Sequence, residues 1–427
     1  MQEDSYVMRG QKMMRRGYTT GTCAAACARA AVLTLLTGRI SSSVSVLLPG
    51  GGRAVLSVDL SSDSSGSALC AKYRCRKDAG DDPDVTNGCS ICVEARYIQR
   101  EDVPEHAFSD ERYPGLFLTG GKGVGTVTKP GLAQAVGEAA INRVPRQMIF
   151  REAASVMEEE EMTWTVDAIP SDGSGEGARE GTVPSLAAVL LTVSVPGGEE
   201  IARKTFNSNL GIAGGISILG TSGIVEPMSE KALLDTIRLE CRQAIAMGER
   251  NLLFVPGNYG EKYVREDLGV TDRRVIQCSN YIGDAVDIAK VLGATSILFV
   301  GNFGKMVKVA AGIMNTHSHI ADARWEIVTA HAALCEVAPE KLKEIRQALT
   351  TDQMLDILGD DRQKVVNSIL ERIGWHLGRR AGDMPVGALV FSEKYGYLGE
   401  TEGAGLLLGD RQQAGLAGTD IGNKRQP

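Results

Sequence analysis

The segment Asp78-Ala79-Gly80-Asp81-Asp82-Pro83-Asp84 sets four carboxylates in one turn-forming stretch. Like charges this close raise one another's pKa, which can bring a carboxylate into use as a proton acceptor near neutrality. Asp81 and Asp84 are the candidates for that role, although a solvated Asp/Gly/Pro turn or an oxygen-lined cation site would use the same residues. His317-Ser318-His319 supplies two imidazoles, and His317 is a further candidate base, although a plain hydrogen-bonded histidine is the simpler reading of the same residues. Two histidines at i, i+2 share a metal only from an extended segment, and no third ligand is spaced nearby. Cys70-x4-Cys75 and Cys89-x2-Cys92 resemble metal-ligand spacing, but a strand beginning near Cys92 sends positions i and i+3 to opposite faces. No metal site is expected. Nine cysteines, an odd number scattered through a long chain, point to reduced thiols.

Four glycine-rich loops follow β-prone runs: Gly220-Thr221-Ser222-Gly223, Pro256-Gly257-Asn258-Tyr259-Gly260, Ser279-Asn280-Tyr281-Ile282-Gly283 and Gly301-Asn302-Phe303-Gly304-Lys305. In an open α/β sheet, ligands bind outside the carboxyl ends of the strands, where chain reversals and helix N-termini converge. Backbone N–H groups and small polar side chains from these loops are therefore expected to hold a nucleoside-like ligand. The residues assigned are Gly220, Thr221, Ser222, Gly223, Gly257, Asn258, Asn280, Gly301, Asn302 and Gly304. Gly-rich βα turns with no ligand are the plainer alternative. The stretch Gly211-Ile212-Ala213-Gly214-Gly215 lacks the dinucleotide fingerprint, and Gly121-Lys122-Gly123 has no Ser or Thr after the lysine of a phosphate loop, which weighs against NAD and against NTP hydrolysis.

The elements that must position these groups follow from periodicity. At 427 residues and about 150 residues per domain, two to three domains are expected. The spacing predicts a helix over Cys23–Leu36 with Thr20 or Thr22 as its cap, then short strands at Val44–Leu48, Ala54–Val58, Cys92–Ile98 and Val189–Val195, which together read as an α+β domain over residues 1–202. Ser171–Gly181 reads as a solvated tract. From Ile216 strands and helices alternate, the pattern of a Rossmann-like parallel α/β domain over 203–330. Its helix after Ser229 is expected to bury Leu233, Ile237, Cys241 and Ile245 on one face and to stop at Gly248. A helical segment over 331–427 carries a terminal strand near Val386–Phe391, and the tail from Gly409 reads as frayed. Net charge is −7 and aromatics are 5%, so neither a phosphate-tracking surface nor a base-stacking platform is expected, and nucleic acid is a poor partner. No uninterrupted apolar run of about 18 residues is present, and residues 1–17 lack an apolar leader core, so no membrane association and a cytoplasmic location are expected.

Several segments, in order, resemble the cobalt-precorrin-5B C1-methyltransferase family, the CbiD proteins of anaerobic cobalamin biosynthesis. They are Arg16 to Ala25, Lys77 to Thr86, Gly125 to Leu132, Gly137 to Asn142, Gly215 to Ser229, and Gly304-Lys305 through Asn315-Thr316-His317-Ser318 to Arg324. Asn87 departs from the family pattern, where a histidine is common. The resemblance implies that S-adenosylmethionine donates a methyl group to C1 of cobalt-precorrin-5B to give cobalt-precorrin-6A, with cobalt present only as part of the substrate. Such a corrinoid carries many carboxylates, and Arg16, Lys129, Arg146, Lys305, Lys308 and Arg324 lie in or beside the matching segments. The helix N-terminus at Thr19, Thr20 and Thr22 is a further expected anion site. A homo-oligomer and transient contact with neighbouring pathway enzymes are also expectations. A non-catalytic corrinoid carrier and a nucleotide-dependent oxidoreductase are the alternative readings.

Overall fold

The computed structural model describes residues 6–62, 69–160, 163–167, 182–184, 187–205, 207–208, 210–257 and 259–408. The Ser171–Gly181 tract and the tail from Gly409 lie outside the described residues. The chain divides into two compact units, Met1–Ser229 and Glu230–Pro427.

In the first unit, β1 (Tyr6–Arg9) and β2 (Lys12–Arg15) form a hairpin that leads into α1 (Thr20–Thr37). The cap of α1 is Thr19, one residue before Thr20 and three before Thr22, the two expected positions, because its Oγ1 accepts from the Thr22 N–H at 3.2 Å. Gly38, at φ 71, ends the helix, and its N–H donates to the Thr34 carbonyl. The strands that follow are β3 (Ser43–Leu47), β4 (Arg53–Ser57), β5 (Asp59–Leu60), β6 (Cys70–Arg76), β7 (Ser90–Gln99), β8 (Phe108–Ser109) and β9 (Leu116–Gly120); after them come α2 (Arg143–Glu159) and β10 (Ala187–Ser194). A six-stranded sheet runs β5-β6-β7-β10-β9-β8, antiparallel apart from the β9–β10 pair.

Helix α1 is apolar enough, at a mean hydropathy of 1.3, to cross a bilayer by length and composition alone, but 67% of it is buried inside the protein. Its alanines 24, 25, 26, 28, 30 and 31 are fully buried, and these small side chains let the backbone approach both the sheet and α2 closely. Strand alternation turns Ile91, Val93 and Ala95 into this core and Cys92 to the opposite face, whereas Cys89 joins the core beside Cys75. All nine cysteines are free thiols. Among the described residues, no group of three or more His, Cys, Asp or Glu is arranged to hold a metal ion.

The second unit contains α3 (Glu230–Ala246), β11 (Asn251–Val255), β12 (Val275–Gln277), α4 (Ile282–Leu292), β13 (Ser296–Asn302), α5 (Phe303–Val309), α6 (Arg324–Leu334), α7 (Thr351–Leu358), α8 (Arg362–Ala381), β14 (Val386–Ser392) and β15 (Gly396–Glu400). Its sheet runs β12-β11-β13-β14-β15, parallel except for the final pair. The strands are apolar without alternation, as sheets covered on both faces require. Residues 331–408 belong to this same unit, because β14 pairs with β13 and α8 packs against β14. The boundary therefore falls at Ser229, later than the expected residue 202. Ile216 pairs with Val124 in the first unit and does not open the parallel sheet. Helix α3 buries Ile237 and Cys241 as expected, while Leu233, one turn earlier, is exposed. Gly248 takes φ 88 just beyond the helix.

Glu240, on the buried side of α3, has its carboxyl pushed up to about 7, chiefly by burial, with Arg274 opposing the rise. A carboxyl raised on folding contributes stability that is complete below its unfolded value near 4.5 and is lost as pH rises through about 7. Glu240→Gln is accordingly expected to flatten the pH dependence of stability across that window and to stabilise the protein at pH 8 by up to about 3 kcal/mol. Urea unfolding at pH 5 and pH 8 measures this. Equal wild-type and variant midpoints at pH 8 would refute it.

Candidate active site

The family-like segments of the first unit are bound to one another through backbone. A Cβ at Gly17 would collide with the main chain of Ala79 and Gly80, so only glycine permits this crossing. Across it, the Tyr18 N–H donates to the Asp78 carbonyl at 2.7 Å and the Asp81 N–H to the Arg15 carbonyl at 2.9 Å. The carboxylates complete the latch. Asp81 Oδ2 accepts from the Arg15 N–H at 2.6 Å, and Asp82 Oδ1 from the Met228 N–H at 2.9 Å. Asp78 receives both Nη1 and Nη2 of Arg15 at 2.7 Å, and those bonds hold its carboxyl below the usual carboxylate range. Burial alone would raise Asp84, but Lys77 Nζ at 2.6 Å, together with the N–H and Oγ1 of Thr86 at 2.8 and 2.7 Å, holds it down. The expected mutual raising is thus reversed at Asp78 and Asp84, because each has a cation or a set of donors of its own. Asn87, where the family pattern favours histidine, accepts from the Ala79 N–H at 3.0 Å and serves the same turn.

Thr19, Thr20 and Thr22 are buried and face inward. Thr20 Oγ1 accepts from the Leu219 N–H at 2.8 Å, Thr22 Oγ1 donates to the Gly223 carbonyl at 2.6 Å, and the Gly21 N–H donates to the Leu219 carbonyl at 3.1 Å. A Cβ at Gly220 would run into the Thr19 side chain, since that glycine lies flat on the helix start. The first turn of α1 is therefore closed by the loop 219–223, which corrects the expectation of an open anion site there. Gly220, Thr221, Ser222 and Gly223 thus belong to the first unit and do not follow a strand of the parallel sheet, which is built in the second. Arg16 pairs with Glu226 at 3.1 Å. Lys129 is half-buried against Gly211.

The second unit holds a cavity of about 550 Å3. Strand order places it: the chain runs from β11 outward to β12, then crosses back to β13 on the other side of β11, so the connections diverge at the carboxyl ends of β11 and β13. Pro256 and Gly257 enter from β11, Ser279 and Asn280 from β12, Asn302, Gly304 and Lys305 from β13, and Glu393 from β14. Tyr259, Lys308, Thr316, His317, Ser318, Arg324, Thr350 and Thr351 complete the lining. Gly257, Asn280, Asn302 and Gly304 are therefore brought together as expected. Gly301 is a buried strand residue packed by Met306 and Pro256 and does not line the cavity. Asn258 lies outside the described residues.

Two lysines shape this cavity. Ser279 sits at φ 52, a conformation that costs a non-glycine residue on the order of 1 kcal/mol or more. Lys305 Nζ donates to the Ser279 carbonyl at 3.3 Å and to Asn280 Oδ1 at 2.8 Å, which fixes that turn. Lys308 is buried and donates to the carbonyls of Thr316 at 3.1 Å and Ala321 at 2.8 Å, holding the loop that carries His317. Burial lowers the pKa of both lysines. Arg324 forks onto Asp322. His317 is exposed, and its Nδ1 accepts from the His319 N–H at 3.2 Å, so in the neutral ring the proton sits on Nε2. His317 lines the cavity with its Nδ1 already engaged as an acceptor. Thr350, Thr351 and Glu393 were not legible as site residues. The signal for Thr350 was the capping box Thr350-x-x-Gln353, whose reciprocal bonds the structure contains.

A polar cleft at the switch point of a parallel sheet, with lysine, arginine and hydroxyl groups around it, is the kind of site that suits a small molecule bearing charged and hydrogen-bonding groups. Residues 7–227 match the CbiD family model, and residues 315–402 match the model described as CbiD, C-terminal domain. The chain is 41% identical to the cobalt-precorrin-5B C(1)-methyltransferase of Ruminiclostridium cellulolyticum over 88% of each chain. It is 38% identical to the protein of the same name from Alkaliphilus metalliredigens, over 95% of this chain and 97% of that one. A crystal structure titled cobalamin biosynthesis protein (cbiD) from Archaeoglobus fulgidus aligns at 25% identity and a TM-score of 0.36, covering 75% of this chain and 88% of that one. The chain belongs to the CbiD family.

Proposed function

We infer that the chain is a methyltransferase that transfers a methyl group from S-adenosylmethionine to C1 of cobalt-precorrin-5B, yielding cobalt-precorrin-6A in anaerobic cobalamin biosynthesis, in the cytoplasm. The observation that carries this reading is near full-length identity of 38–41% to proteins of that name, extending through both units. The methyl donor is assigned to the cavity of the second unit, and we read the parallel sheet there as Rossmann-like. A volume of about 550 Å3 falls in the range of small-molecule sites, and its position at a strand-order reversal is where such sheets take nucleoside ligands.

S-adenosylmethionine supplies an activated methyl group: the C1 electron pair forms the new C–C bond while the S–CH3 bond breaks toward sulfur, releasing S-adenosylhomocysteine. Because the sulfonium is already a strong electrophile, positioning and exclusion of water are the main demands on the protein. Lys305 carries the positive charge that a ligand carboxylate needs, while Arg324 is paired with Asp322 at the rim. Glu393 is the acceptor for hydroxyl or amino hydrogens, and the Nε2–H of His317 is a donor at the rim. The acidic loop Asp78–Asp84 builds the first unit, and the experiment described in the Discussion separates that role from proton transfer at Asp81.

Incubation of the full chain with methyl-labelled S-adenosylmethionine and cobalt-precorrin-5B, without oxygen, is expected to release S-adenosylhomocysteine and to add one methyl group to the corrinoid by mass. Lys305→Met should raise the KM for S-adenosylmethionine about tenfold or more, as loss of a charge-assisted contact predicts. Corrinoid binding without turnover would identify a carrier instead. A nicotinamide absorbance change would identify an oxidoreductase.

A further inference from the structure

The first unit contains a second cavity, of about 430 Å3, lined by Phe108, Ser109, Asp110, Arg112, Arg143, Arg146, Gln147 and Phe150. Its charges do not balance internally. Arg112 is neutralised by Asp110, which accepts from its Nε at 2.9 Å and its Nη2 at 2.6 Å. Arg143 and Arg146 have no such partner: among the described residues, neither guanidinium donates a hydrogen bond to a protein acceptor. The Arg146 guanidinium carbon lies 4.2 Å from the centroid of the Phe108 ring, a cation–π contact that supports the charge without using its N–H donors.

Both arginines occupy the first turns of α2, the positive end of a 17-residue helix whose opening turn contains no acidic residue. Cations are unfavourable there, and carboxylates normally fill such positions. Burial works against the charge on Arg146, and Arg143 adds to that effect, with Glu138 opposing it. The side chain of Asn142, which precedes the helix, accepts from Gln134 at 2.8 Å instead of capping. Two like charges at the wrong end of a helix, lining one cavity, have only the non-bonded influence of Glu138 and no hydrogen-bonded carboxylate among the described residues.

We propose that this cavity is a carboxylate-binding site that takes an acetate or propionate arm of the corrinoid. The identity of the ligand rests on the function inferred above; the anion site itself rests on the cavity and its unpaired arginines. The rings of Phe108 and Phe150 wall the cavity with hydrocarbon, which suits the methylene stem of such an arm, while the Arg143 and Arg146 forks receive its carboxylate end.

The test uses the full-length chain and dicyanocobyrinic acid, a corrinoid with free carboxylates, compared with its methyl ester by equilibrium dialysis read from corrin absorbance. Wild type is expected to bind the acid at least tenfold tighter than the ester. The double variant R143Q/R146Q should weaken binding of the acid by about 10- to 100-fold, consistent with the loss of charge-assisted hydrogen bonds. The double variant should also melt no lower than wild type without ligand, because it removes repulsion at the helix start; a merely structural role for these arginines would lower the melting temperature. Arg74→Gln, an exposed substitution on β6, should bind like wild type. Equal binding of acid and ester, undiminished binding by the double variant, or no binding of the acid by wild type overturns the proposal. If methyl transfer fails while arginine-dependent binding persists, the function is wrong and the site stands.

Discussion

Asp84→Asn is expected to destabilise the first unit by about 3 kcal/mol or more, while Asp81→Asn leaves it folded. Lys77 is among the most buried charged side chains, at 2% exposure, and Asp84 is its carboxylate partner at 2.6 Å. Removing one member of a buried pair strands the other, at a typical cost of about 3–5 kcal/mol; partial exposure of Asp84 places this case at the lower end. Asp81, by contrast, accepts from a backbone N–H in an exposed setting, and an asparagine oxygen can accept the same bond. Thermal unfolding separates the two. The pH dependence has a definite sign: the Asp84 carboxyl is depressed on folding, so its contribution is complete above about pH 4 and fades as pH falls through its lower folded value. If Asp81→Asn abolishes turnover by about a hundredfold or more with unchanged melting, Asp81 is a base after all. Equal melting of Asp84→Asn and wild type at pH 7 would mean that the buried pair does not hold the loop.

Lys308→Met is expected to lower kcat/KM by about a hundredfold while the parallel sheet stays intact. Methionine keeps the length of the side chain but has no donor for the carbonyls of Thr316 and Ala321, and an unpaired buried polar group costs on the order of 1–3 kcal/mol. The loop 315–324 then loses its anchor, and with it the positions of His317, Ser318 and Arg324 at the cavity. Small displacements of positioning groups carry rate losses of about this size. Hydrogen exchange should accelerate over residues 316–321 and remain slow in α8, whereas Lys394→Met, on an exposed pair with Asp356, should change neither measurement appreciably. Unaltered exchange in the 316–321 segment would show that Lys308 is not its anchor.

The parallel sheet was legible because its strands are short apolar runs, such as Asn251–Val255 and Ser296–Asn302, separated by helices of clear 3.6-residue period. Its loops could therefore be placed at one edge, and four of the six assigned residues in those loops do line the cavity. Gly220–Gly223 misled because the two-residue strand Gly215–Ile216 resembles the start of the same βα series. Its partner, Gly123–Val124, lies about ninety residues upstream, and no local pattern signals such a pairing. The acidic loop shows the same limit in electrostatic form. Composition displays four carboxylates, but the cations that set their protonation, Arg15 and Lys77, act through positions that only the folded chain defines. Leu233 fits the helical stripe by spacing yet is exposed in the first turn of α3, so period alone overstated the buried face.

The closure of α1 by residues 219–223 has a consequence for synthesis. The helix is complete once residue 37 has left the ribosome, but the loop that seals its first turn follows about 180 residues later, and the β10 strand of the covering sheet is nearly as late. At about 5–20 residues per second, the nascent chain carries this helix without its final cover for roughly 10–40 s. A segment apolar enough to enter a bilayer is thus presented early and sheathed last, so the yield of folded protein should depend on whatever shields that helix during translation.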